Sequence, residues 1–165
     1  MSLRAWRFLM LMLAALGMGP GLAHVLELAP KMQYDGPLYT AVTSTLYRLY
    51  GPFGALVQVG AVLTAAVAAL RLRGRPSFGY TVWGLLCLVL SLGLWFVLVQ
   101  PVNVQWGEVL RTAPEMAPEA YLRLRGRWEY GHVAAFAAWL AGAGLLVGSV
   151  LVETPPDHPP ARRAA

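Results

Sequence analysis

Arg127-Trp128-Glu129-Tyr130-Gly131-His132 runs straight into an uncharged stretch that continues to Val152. As a helix, a stretch of that length crosses a hydrocarbon core of about 30 Å. The charged and aromatic residues before it suit a membrane surface, where tryptophan and tyrosine collect. Working outward from this stretch, the chain reads as membrane-embedded.

The composition agrees. Of 165 residues, 58% are hydrophobic and only 13% charged, roughly half the charged share of a soluble domain. A net charge of +5 would suit a nucleic-acid partner, but the cations lie mainly between and beyond the apolar runs, where they orient helices in a lipid bilayer. No nucleic-acid role is expected. Cys87 is the only cysteine, so the chain has no intramolecular disulfide and no cysteine metal motif.

Four spans are expected, at about residues 8–28, 51–72, 78–100 and 131–152, within one domain covering 1–152. The fold class is all-α: an integral membrane four-helix bundle with a short interfacial helix after the first span. That helix runs from Pro37 to about Tyr50 and places Tyr39, Tyr47 and Tyr50 at headgroup depth, as a lid or a plain connector. Ala29 to Gly36 reads as a loop. Pro20 would free the carbonyl of Leu16 and bend span one. Residues 1–23 also read as a secretory signal, with Gly21-Leu22-Ala23 as a cleavage site. Ala138-x-x-x-Gly142 and Gly144-x-x-x-Gly148 let helices approach closely, and self-association is left open. The tail 153–165, rich in proline, is expected to be disordered, with His158 idle.

The basic turn Arg71-Leu72-Arg73-Gly74-Arg75-Pro76 marks a cytoplasmic side, which puts both termini there and suggests a bacterial cell membrane. Span one then ends outside at His24-Val25-Leu26-Glu27, and span four begins outside at Glu129 and His132. Each His/Glu pair is three residues apart and so shares a helix face. Asn103 follows span three in an outer cap loop of about residues 101–130, whose 118–127 part looks helical. Loops that long are often functional. Trp106 and Trp128 fit an aromatic belt.

Ionisable groups at span edges are costly and invite a functional reading. His24, Glu27, Glu129 and His132 suit a single iron, copper or zinc ion. The two histidines alone suit the axial positions of a haem. Without any cofactor, His and Glu suit acid/base work on an acidic phenol or activated methylene. The plain alternative is that these groups hydrogen-bond across helices and fasten the bundle. The cofactor stays unassigned among none, a haem and a single transition metal.

Gly21-x-x-His24-x-x-Glu27-x-x-x-Lys31-Met32, then Pro101-x-Asn103, then Leu124-Arg125-Gly126-Arg127-Trp128-Glu129-Tyr130-Gly131-His132 resembles the anthrone-oxygenase-like family of small four-helix membrane proteins. The resemblance covers nearly all of the chain before the tail. It implies an oxygenase that converts an anthrone to an anthraquinone with no evident cofactor motif. On that carry-over the catalytic positions are Asn103, Arg127, Trp128, Glu129 and His132, with His24 and Glu27 opposite. The expected activity is that of a membrane oxidoreductase on a hydrophobic aromatic or quinone-like molecule. The alternative is a non-enzymatic haem- or metal-binding subunit, or a structural or partner-binding membrane protein.

Overall fold

The computed structural model describes residues 2–154. The expected tail with His158 lies outside the described residues, apart from its first two positions. Six α-helices follow in order: α1 Leu3–Lys31, α2 Gly36–Leu46, α3 Tyr50–Arg71, α4 Phe78–Leu94, α5 Gln100–Thr112 and α6 Ala117–Leu151. Four helical stretches are long and apolar enough to cross a membrane, α4 and α5 counting as one. The protein is an all-α integral membrane bundle.

Helices α1, α3, α4 and α6 form a ring, each packed on the next, with α6 closing on α1; α2 and α5 lie against α6. Outward, the ring shows lipid-suited side chains such as Phe8, Leu56, Leu63, Trp83 and Leu140. Inward, it divides into two layers. Small and aliphatic residues fill one, including Ala14, Ala61, Ala65, Leu88 and Leu146. Aromatic rings fill the other, including Tyr39, Tyr47, Trp106, Tyr121 and Trp128.

Small residues set the spacing of the ring. A Cβ on Gly142 would stand 3.0 Å from the Gly84 carbonyl, so α4 and α6 nearly touch there. Gly148 abuts Tyr80, whereas Gly144 faces open space, so only part of the expected small-residue pattern packs. Gly17 leaves room for Trp139, whose indole donates to the Ala14 carbonyl at 2.9 Å.

The aliphatic end is tied by charge. Arg7 pairs with Glu153 at 2.7 Å and donates to Ser77 at 2.9 Å, and Arg75 reaches Glu153 at 3.6 Å. The start of α1, the α3–α4 turn and the end of α6 therefore meet at one end of the bundle.

Three expectations are corrected by the backbone. The expected helical part at 118–127 is present, but the rest of the segment 101–130 is helical too instead of a loop: α4 continues through a π-helical turn at Trp95–Val99 into α5, and a 3-10 turn at Pro114–Met116 leads into α6. The cause is local. Pro101 lacks the N–H that would bond the Val97 carbonyl, and Arg127 supplies donors instead, to Val97 at 2.8 Å and Leu98 at 3.1 Å. The helix expected to open near residue 131 begins at Ala117 and runs 35 residues, roughly 52 Å, well past a bilayer core. Its Glu129 and His132 consequently lie mid-helix.

The loop expected from Ala29 is shorter, because α1 runs through both Pro20 and Pro30 to Lys31. Asp35 then caps α2 by accepting from the Leu38 N–H at 2.9 Å. The third correction concerns the tyrosines of the short helix. Tyr39 and Tyr47 are buried in the bundle, their hydroxyls donating to carboxylates instead of lying on an open surface.

Candidate functional site

His24 lies two turns before the end of α1, and His132 lies about four turns inside α6. Their rings stack at 3.8 Å, 14° from parallel. Tyr47, from the turn after α2, stacks on the other face of His24 at 4.9 Å. Trp128, one turn before His132, stands edge-on to all three rings, at 4.5 to 5.5 Å. Asn103 of α5 fixes that indole by accepting from its N–H at 2.8 Å.

Behind the stack sits Lys31. Its ammonium is 3.0 Å from Glu129 and 3.6 Å from Glu27, donates to the Tyr47 hydroxyl at 3.0 Å, and lies 3.4 Å from His24 Nδ1. Tyr39 donates to Glu129 at 2.9 Å and Tyr47 donates to Glu27. Arg125 seals the network from outside by donating to the backbone carbonyls of Lys31 and Tyr34. Paired and bonded in this way, buried charges are tolerated where lone ones are not.

Both phenols are held as donors. Burial first, and the Glu129 carboxylate second, push Tyr39 well above its ordinary range. Burial and the bond to Glu27 do the same for Tyr47. An ammonium only donates, so His24 Nδ1 is the accepting nitrogen of that ring. Among the described residues no hydrogen bond ties the His132 ring.

In front of the stack lies a cavity of about 420 Å³. Trp95, Phe96, Trp106, Phe136 and Trp139 wall it, and His24, His132, Asn103 and Trp128 face it. Of the seven expected site residues, those four line the cavity. Glu27 and Glu129 stand behind the rings in the charge network. Arg127 is exposed, lies outside the cavity lining and donates to carbonyls of the π-helical turn.

The metal and haem expectations are also revised. Lys31 occupies the middle of the set His24, Glu27, Glu129 and His132, and among the described residues no three His, Cys, Asp or Glu side chains are placed to share an ion. The two imidazoles face each other in van der Waals contact, leaving no slot for a porphyrin between them. Trp106, expected in an aromatic belt, is buried and stacked on Tyr121 at 4.1 Å.

Sequence reasoning missed Lys31, Tyr39 and Tyr47 as site residues. One signal was present for the first. Lys31 is the only lysine in the chain and falls four residues after Glu27 and seven after His24, on one helix face. The two tyrosines enter from α2 and its turn, and their target on α6 is distant in sequence. No protein-family model matches the chain, and no curated protein or solved structure matches it.

Proposed function

We propose that the chain is a membrane oxidoreductase of the oxygenase-like kind, acting on a flat hydrophobic aromatic or quinone-like molecule held in the cavity beside His24 and His132. One observation carries the reading: an aromatic-walled cavity of about 420 Å³ meets an imidazole pair backed by the Lys31–Glu129–Glu27 charge network. Ligand sites commonly combine apolar walls with a few placed polar groups. The best-supported setting is a bacterial cell membrane with the Arg7 end, rich in arginine, toward the cytoplasm.

The chemistry follows from the groups present. His132, whose ring makes no hydrogen bond among the described residues, takes a proton from an activated methylene lying on the aromatic wall. The resulting anion is spread over the rings and passes electrons to dioxygen, which is the oxidant. One oxygen atom becomes the new carbonyl, the second leaves as water with the two methylene hydrogens, and the books balance for an anthrone becoming an anthraquinone. Asn103 and Trp128 fix the wall, while Lys31 fixes His24.

A second reading has its own support. The stacked rings and the Lys31 network link α1, α2 and α6 to one another and would fasten them without any substrate. Dioxygen uptake with anthrone in proteoliposomes separates the two. The enzymatic reading expects catalysed uptake of one dioxygen per anthrone, falling by roughly 100-fold or more in His132→Ala. Rates equal to empty vesicles would leave only the fastening role.

A further inference from the structure

Arg48 lies at the mouth of the cavity, on the turn between α2 and α3, and its side chain is exposed. It is the only lysine, arginine, aspartate or glutamate among the residues lining that cavity. No hydrogen bond or ion pair engages its guanidinium among the described residues. The neighbouring arginines are committed: Arg125 to the carbonyls of Lys31 and Tyr34, Arg127 to those of Val97 and Leu98, and Arg111 to Glu108. The nearby carboxylates are committed too, Glu129 to Lys31 and Tyr39, and Glu27 to Lys31 and Tyr47.

We infer that the cavity selects aromatic molecules bearing an anionic oxygen group, a carboxylate or ionised phenol, which Arg48 holds at the rim while the rings lie against Trp95, Trp106 and Trp128. This rests on the reading of the cavity as a substrate site and names the substrate class for it. The physical case is the mismatch in charge. No carboxylate is among the lining residues, and Glu108, next to the lining Gly107, is paired with Arg111, so the one fixed charge in the lining is positive. A guanidinium presents a planar fork that matches a carboxylate with two parallel bonds. Beside an apolar wall that pairing is weakened less by water than on an open surface. Ser44 and Gln58 also line the cavity and add hydrogen-bonding groups.

The oxyanion could instead belong to a lipid headgroup approaching from outside, so the test separates the sources. Tryptophan emission of the full-length protein in a neutral detergent is titrated with 2-naphthoate and with 2-naphthylmethanol, which share a ring system and differ in charge. The wild type should bind naphthoate about tenfold tighter or more, the worth of a charge-assisted bond. Arg48→Gln should erase that preference and leave the alcohol unchanged, and Arg48→Lys should keep part of it. The preference should survive excess short-chain phosphatidylglycerol. Equal binding of the two probes, a preference intact in Arg48→Gln, or one abolished by the lipid would overturn the inference while leaving the cavity as a binding site. Saturable binding of neither probe would overturn both the inference and the reading beneath it.

Discussion

Lys31 Nζ on α1 lies 3.0 Å from the Glu129 carboxylate on α6, with both side chains shut off from solvent. The pair joins the first and last membrane helices at the depth of the imidazole stack, so its energetics govern the site's shape. Breaking a buried ion pair by removing one partner costs about 3–5 kcal/mol, because the other charge is stranded. Lys31→Met and Glu129→Gln should each lower the thermal unfolding midpoint in detergent sharply. Lys31→Met combined with Glu129→Leu should recover much of the loss, since replacing both removes the stranded charge.

Tyr39 tests the contribution of α2. Its hydroxyl donates to Glu129 at 2.9 Å, and a bond to a charged group is worth about 1.5–3 kcal/mol. Tyr39→Phe should destabilise by that order. A denaturation series comparing it with Tyr34→Phe, whose phenol makes no such bond, would check the value.

Arg127 and Trp128 are adjacent yet should behave differently. Arg127→Ala withdraws two donors from the π-helical turn and should cost about 1–3 kcal/mol of stability while leaving the affinity for a cavity ligand unchanged. Trp128→Phe removes the bond to Asn103 and part of the cavity wall, so it should weaken binding. Unfolding curves and ligand titrations on both variants separate the two roles.

The arginine-rich end makes a pH prediction. Hydrogen bonds from Arg7 and Ser77, and the charges of Arg7 and Arg75, hold the Glu153 carboxyl down to about 2, below its ordinary 4.5. A depressed carboxyl stabilises the fold above its unfolded value. That contribution is complete above pH 4.5 and fades as pH falls toward 2. Across this window the unfolding midpoint of the wild type should fall more steeply than that of Glu153→Gln.

Membrane helices were legible because lipid demands a long uncharged run, and Val133 to Val152 supplies one. Helix ends were less so. Pro101 reads as a stop in sequence, but Arg127, distant along the chain, supplies donors to the carbonyls around it and the helix goes on. His24, Glu27, Glu129 and His132 were found because paired spacing on a helix survives in one dimension. Their arrangement was not, since the ammonium at their centre and the phenols of Tyr39 and Tyr47 arrive from other segments. A tyrosine on an amphipathic helix carries no sign in sequence of a buried bond to a carboxylate, which only the packing of α2 on α6 creates.

Oxygenase-like chemistry at His132 requires that the cavity take a flat aromatic molecule. Tryptophan quenching by anthraquinone measures this directly, comparing the wild type with Gly54→Leu and Gly107→Leu. Both glycines line the cavity, and a Cβ at either meets nothing within 4 Å, so a larger side chain has room to start there and narrow the space. Saturable quenching in the wild type that is lost in both filled variants is the predicted result. Linear, unsaturable quenching that is the same in all three proteins would show partition into the detergent and would contradict the account.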